Sequence, residues 1–363
     1  MIKIANIVGA RPNFMKIAPI HKRMLQSDQF DPILIHTGQH YDEKMSRTFF
    51  VDLGMPEPDL YLGVGSGSHA QQTAAVMIAL EKILLEQKPD WIVVVGDVNS
   101  TLAAALVASK LHIPIAHVEA GLRSGDRTMP EEINRVLTDA VSDMLFVTEQ
   151  SGLDNLLSEG VAEEKIHFVG NVMIDSLTEH LEKASKSTIL STLKAKPDNY
   201  ALMTLHRPSN VDNRQAFSQI LIALQHIQKQ IPIIFPIHPR TRKMIDELQL
   251  TDQVARMDQL MLVDPLGYLD FLHLMSRARM VLTDSGGIQE ETTFLGIPCI
   301  TLRENTERPV TIKIGTNTLV GVAPAQIIRA AENALNGYKR EHTIPPLWDG
   351  KASQRIVAIL EKV

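Results

Sequence analysis

Five clusters in this 363-residue chain combine charge, glycine and spacing in ways that can do chemistry. GARPNFMK, residues 9–16, places Arg11 and Lys16 beyond Gly9 at the start of a helical pattern. Two cations at a helix N-terminus suit an anion, above all a phosphate; the plainer reading is a helix start with surface cations. The motif is neither a dinucleotide G-x-G-x-x-G nor a P-loop. VVVGDVNST, residues 93–101, ends an apolar run in Gly96 and Asp97, where Asp97 is either a helix cap or a carboxylate at the ligand edge of a sheet. HVEAGLRSGDRTMPEEINR, residues 117–135, sets Glu119 at the end of the next run and Glu131 and Glu132 just after Pro130. Arg135 lies where an exposed pair with Glu132 is the simplest reading. Asp97, Glu119 and Glu131 follow neighbouring strands, and such carboxylates supply a general acid and base where their environments separate their pKa values.

The second half carries the other clusters. TLHRPSN, residues 204–210, ends an apolar run in His206 and Arg207, and PIHPR, residues 236–240, repeats the pattern with His238 and Arg240. LTDSGGIQEE, residues 282–291, is the most specific: Ser285, Gly286 and Gly287 open a helix whose N–H groups a diphosphate can approach. Glu290 and Glu291 sit one turn inside, where a carboxylate can accept both ribose hydroxyls, and TERP, residues 306–309, adds Arg308 after the next run. The histidines show no H-E-x-x-H or comparable spacing, so no metal site is expected.

These residues need a frame. Short apolar runs at 2–8, 32–36, 91–95, 114–118 and 144–147 alternate with helical patterns at 13–26, 69–87, 99–111 and 130–140. A more polar stretch from about 170 to 199 interrupts the alternation, which restarts with runs at 200–205, 232–237, 280–283 and 298–302. The runs are continuously apolar, as parallel strands covered on both faces must be. Two series predict an α/β fold of two doubly wound, Rossmann-like parallel-sheet domains, over 1–170 and 171–350, with a closing helix at 351–363. Hydrophobic residues at 44% permit two cores, a net charge of -6 opposes nucleic-acid or membrane-surface binding, and aromatic residues at 5% give no base-stacking platform. No apolar run is long enough to span a bilayer, the N-terminal residues read as a strand rather than a signal peptide, and the one cysteine, Cys299, fits a cytoplasmic location.

Together GARPNFMK, TGQH, GD, HVEAGLR, MPEEINR, HR, DSGGIQEE and TERP resemble the non-hydrolysing UDP-N-acetylglucosamine 2-epimerase family, in family order from Gly9 to Pro309. The resemblance implies a GT-B architecture, two Rossmann-like domains facing an interdomain cleft with the last helix crossing back to the first. It implies a homodimer that interconverts UDP-GlcNAc and UDP-ManNAc for surface polysaccharides, by eliminating UDP to 2-acetamidoglucal and re-adding it, with no cofactor. By motif, Asp97, Glu119 and Glu131 become acid/base candidates, with His206 near the diphosphate. Arg11, Lys16, Ser285, Gly286, Gly287 and Arg308 become phosphate contacts. Glu291 would hold the ribose, Phe271 and the backbone near Leu266 would face the uracil, and Arg135, Arg207 and His238 complete the substrate set. A UDP-2,3-diacetamido-glucuronate 2-epimerase, with Arg123 or Arg127 near the sugar C6, and a GT-B glycosyltransferase are the alternatives. One departure concerns the second UDP-GlcNAc that many bacterial members bind as an activator. Gln39 and His40 are kept, but Asp42 replaces an amide, residues 63–73 lack an arginine and the linker before Glu131 is shorter, so a strict need for that activator is not expected.

Overall fold

The computed structural model describes residues 1–38, 54, 57–337 and 342–363, with Arg11 described by its backbone alone; Gln39, His40 and Asp42 lie outside the described residues. The chain forms two compact units, Met1–Glu179 with Pro346–Val363, and His180–Pro345.

The first unit carries β1 (Ile2–Val8), β2 (Phe30–His36), β3 (Leu60–Tyr61), β4 (Trp91–Val95), β5 (Ile115–Ala120), β6 (Met144–Val147) and β7 (Ile166–Phe168). They pair in parallel in the order β3-β2-β1-β4-β5-β6-β7. Helices cover the sheet, which is why β4 is apolar throughout and every residue of β5 is buried. The helix Asn99–Lys110 buries Ala103, Ala104, Ala105 and Ala108, small residues that let it pack closely with Leu80 and Leu84 of the helix His69–Gln87. Ser68 caps that second helix by accepting from the Gln71 N–H.

The second unit carries β8 (Ala201–Met203), β9 (Ile233–Pro236), β10 (Leu260–Val263), β11 (Met280–Thr283), β12 (Cys299–Thr301) and β13 (Asn317–Leu319), all parallel in the order β10-β9-β8-β11-β12-β13. In each sheet the chain reverses its direction of winding once, between β1 and β4 and between β8 and β11. Ligands of open α/β sheets bind beyond the carboxyl ends of the strands at such reversals. Gly9 and Gly96 follow the first pair; Leu205 and Asp284 follow the second.

Where boundaries at 170 and 350 were expected, the units divide at Glu179/His180 and Pro345/Pro346. Local contacts explain both positions. Asp175, on the helix Val172–Ala184, accepts from the backbone N–H groups of Ala352 and Ser353 at 3.0 and 2.7 Å and so caps the last helix, Ala352–Leu360. The buried Trp348 donates its indole N–H to the Thr148 carbonyl at 2.9 Å, fixing the chain just before that helix to the first unit.

Candidate functional site

At the reversal of the first sheet, Glu119 stands in a left-handed conformation, φ 74°, at a register shift between Val118 and Ala120 where β5 meets β6. A non-glycine residue so placed carries on the order of 1–3 kcal/mol of strain, which persists only where surrounding contacts enforce it. Its carboxylate forms a buried ion pair with Lys16, on the helix Arg11–Leu25. Gly96 makes room for the pair. With φ 65°, a methyl group there would lie 3.0 Å from Lys16 Nζ and 3.2 Å from Glu119 Oε2. Asn13 fixes the start of the same helix, its Oδ1 accepting from the Ala10 N–H at 3.1 Å and its amide donating to the Val95 carbonyl at 2.7 Å.

The helix Pro130–Val141 supplies the other half. Arg135 donates to Asp97 Oδ2 at 2.5 Å through Nη1 and to Glu132 Oε2 at 2.6 Å through Nη2. Glu132 also accepts from the backbone N–H groups of Ser124 and Gly125, at 3.0 and 2.9 Å. Burial opposes the charge on Glu132, yet these N–H groups and Arg135 hold its carboxyl below the usual range. The exposed pair expected from sequence is therefore a buried one: Arg135 and Glu132 are sealed and Asp97 is part-exposed beside them. Glu131 is half-buried on the same first turn and makes no described side-chain bond. Asp97, Lys16, Glu119 and Arg135 thus gather around the Gly96 turn, with Glu131 on the helix that faces it.

In the second unit Asp284, fully buried after β11, organises the loop after β8. It accepts from the backbone N–H of Arg207 at 2.8 Å and from Asn210 Nδ2 at 3.1 Å, and it pairs with His206 Nδ1 at 2.9 Å. Burial raises the Asp284 carboxyl, but these contacts reverse that and hold it low. The His206 ring is half-exposed beyond it. Ser285 stands at the N-cap position of the helix Gly286–Leu295 with no side-chain capping hydrogen bond, and Gly286 packs so tightly that a methyl group would lie 2.7 Å from both Arg308 Nη1 and Glu307 Oε1. Arg308 is buried between Glu307 and Glu290, at 2.6 Å from each, and Glu307 also takes Arg303 at 2.8 Å. Those guanidinium groups hold the Glu307 carboxyl far below the carboxylate range despite its burial.

Glu291 is buried and accepts from Tyr268 Oη at 3.0 Å; burial pushes its carboxyl up to about 7. Phe271 is half-buried on the helix Tyr268–Ser276, and Leu266 is half-buried just ahead of it. His238 is exposed and caps the helix Pro239–Glu247 by accepting from the Arg240 N–H at 3.2 Å. Among the described residues, no cluster of three or more His, Cys, Asp or Glu side chains is arranged for a metal ion.

Sequence reasoning passed over Asp284, Glu307, His117 and Asp139 as parts of these sites. A polar residue inside an apolar strand run is the signal that marks His117, and the spacing of Glu132, Arg135 and Asp139 along one helical face marks the last.

A model of the UDP-N-acetylglucosamine 2-epimerase family matches residues 22–361. The chain belongs to this family. It is 46% identical over 364 residues to a UDP-N-acetylglucosamine 2-epimerase of Methanocaldococcus jannaschii, with 99% of each chain covered. It is also 43% identical over 365 residues to a UDP-2,3-diacetamido-2,3-dideoxy-D-glucuronate 2-epimerase of Pseudomonas aeruginosa, covering 100% of both. A crystal structure of the M. jannaschii UDP-GlcNAc 2-epimerase, in complex with UDP-GlcNAc and UDP, superimposes with a TM-score of 0.93 at 45% identity and full coverage of both chains. With its two parallel sheets the chain has the GT-B architecture of these epimerases. No described helix is long and apolar enough to cross a membrane.

Proposed function

We propose that the chain is an isomerase that interconverts UDP-GlcNAc and UDP-ManNAc. The observation that carries this reading is that each unit has a strand-end site, and the two differ in chemistry. One gathers Asp97 and Glu119 beside buried cations; the other sets a glycine-opened helix against the buried Arg308. The C2 proton of GlcNAc is not adjacent to a carbonyl, so direct deprotonation is slow. A carboxylate that takes this proton while the C1–O bond breaks sends the electron pair to UDP and leaves 2-acetamidoglucal. Protonation of C2 from the opposite face, with return of UDP to C1, completes the inversion.

In this reading Asp97, Glu119 and Glu131 share the proton transfers. Arg11, Lys16, Ser285, Gly286, Gly287 and Arg308 stabilise the departing diphosphate, with His206, Arg207 and His238 beside it. Glu291 accepts from the ribose hydroxyls, and Phe271 and Leu266 face the uracil. We further propose a cytoplasmic homodimer that supplies polysaccharide synthesis and turns over UDP-ManNAc without added UDP-GlcNAc. A GT-B glycosyltransferase would need an acceptor groove and would not need three carboxylates in the first unit.

NMR of the protein with UDP-GlcNAc in D2O tests the reaction: UDP-ManNAc with deuterium at C2 is expected, and release of UDP without C2 exchange overturns it. The P. aeruginosa relative favours a second reading, the diacetamido-glucuronate sugar. Arg123 is bound to Asp139 and Glu159, at 2.8 and 2.7 Å, whereas Arg127 is exposed and forms no described ion pair, leaving it to meet a C6 carboxylate. Competition between the two UDP-sugars decides between these substrates.

A further inference from the structure

His117 lies in the middle of β5 and is wholly buried. Its Nδ1 meets Asp139 Oδ1 at 2.6 Å and its Nε2 meets the Gly96 carbonyl at 2.9 Å. Both partners accept hydrogen bonds, so each contact needs its own proton on or shared with the ring. The other oxygen of Asp139 accepts from the Gly121 N–H at 3.0 Å and from Arg123 at 2.8 Å. One carboxylate therefore holds residues 117 and 121, two positions before and two after the strained Glu119. Through the ring it also holds the carbonyl of Gly96, the residue that packs on the Lys16–Glu119 pair and precedes Asp97. Gly121 packs closely on the next element: its φ is 79°, and a side chain there would overlap the Gly152 backbone.

We propose that His117 and Asp139 are positioning residues that lock the Glu119 bulge and the Gly96–Asp97 turn into one rigid acid/base arrangement. The proposal rests on the reading that Asp97 and Glu119 carry the proton transfers. Neither His117 nor Asp139 touches the substrate; they act through the backbone they hold. A misplacement of about 1 Å at such a site costs roughly 10²-fold in rate.

Three measurements on the full-length protein test this. First, His117→Phe lowers kcat about 10²-fold with KM changed less than about twofold, while His117→Gln, which keeps a donor for the Gly96 carbonyl, recovers part of the loss. Second, UDP titration of both variants stays within about twofold of wild type, because the proposed ribose and uracil contacts and Ser285, Gly286, Gly287 and Arg308 are in the other unit. Third, two-dimensional nitrogen NMR of histidine-labelled wild-type protein shows one solvent-protected ring with a proton at each nitrogen. A His117→Phe enzyme within about twofold of wild-type kcat overturns the proposal. If that variant does not fold, the wild-type NMR spectrum decides: a ring at His117 with a bare nitrogen overturns the proposal equally. Wild-type protein inactive on both UDP-sugars would instead sink the functional reading.

Discussion

Every described acidic group around the Gly96 turn except Glu131 is tied to a base: Glu119 to Lys16, Asp97 to Arg135 and Asp139 to His117 across neighbouring elements, and Glu132 to Arg135 on its own helix. Around Gly286 in the second unit the charges are instead guanidinium groups stacked on Glu307 and Glu290. Arginine does not lose its proton, and Glu307 is held firmly anionic, so this second array is fixed in charge. In the first array part-exposed Asp97 and half-buried Glu131 stand where we propose that the proton transfers occur. Fixed charge suits binding, and exchangeable charge suits catalysis. Isosteric changes should therefore separate the two units, since Asp→Asn or Glu→Gln keeps shape while removing the charge and the proton chemistry together.

The largest expected effect follows from that contrast. Asp97→Asn and Glu119→Gln should each lower kcat on the order of 10³-fold, within the range that positioned acid/base groups supply, while UDP binds as in wild type. Loss of UDP affinity in step with kcat would break the comparison, for it would make these carboxylates part of the nucleotide site. The rates come from a coupled assay for UDP-ManNAc, the affinities from calorimetry with UDP.

Arg308→Met should produce the next effect, and in the opposite pattern. Removing one partner of a buried ion network strands the remaining charges, at about 3–5 kcal/mol. Glu290 loses this partner, while Glu307 keeps Arg303. Urea denaturation should show that loss of stability together with loss of UDP binding. Unchanged stability would mean that water reaches these glutamates and that the array is not sealed. Gly286→Ala probes the same contact more gently. Its methyl group must displace the Arg308 and Glu307 side chains, so UDP binding should weaken by roughly tenfold while the fold persists.

The central strands and every motif flanking the two reversals were legible in the sequence because burial on both faces forces continuous apolar runs. The strands that periodicity did not reveal, β3, β7, β10 and β13, are the four edge strands. They span two to four residues each, and half of a strand's burial is lost at an edge, so no period can develop. The site shows the same division. Residues at strand ends announced themselves through glycine and charge, as did Lys16 and Arg135, whereas His117 and Asp139 did not. His117 reads as one polar residue in IAHVEA, and Asp139 lies 20 positions beyond Glu119; only the fold brings them together. The Glu132–Arg135 spacing was legible, but its burial was not, because that depends on the N–H groups of Ser124 and Gly125 folding over the glutamate.

The smallest expected effect tests whether the second unit is as fixed in charge as the comparison holds. Glu291 is its exception: burial, reinforced by Glu290 and partly offset by the Tyr268 hydrogen bond, raises its carboxyl from 4.5 to about 7. A folded-state pKa above the unfolded value contributes stability that is fully present below about 4.5 and is lost as pH rises through about 7. Wild type should therefore lose thermal stability from pH 5 to 8 relative to Glu291→Gln, whose neutral amide has no charge to bury. If Glu291 holds the ribose as proposed, binding reverses the preference, because the ionised carboxylate is the form that accepts from both hydroxyls. UDP affinity should then rise by roughly tenfold between about pH 6 and 8 in wild type, the span over which a group with a pKa near 7 gives up its proton. Titrating Glu291→Gln over the same range separates this from the ionisation of UDP itself. A variant that kept the full wild-type slope would remove Glu291 from the ribose and return the second unit to an array of permanent charges alone.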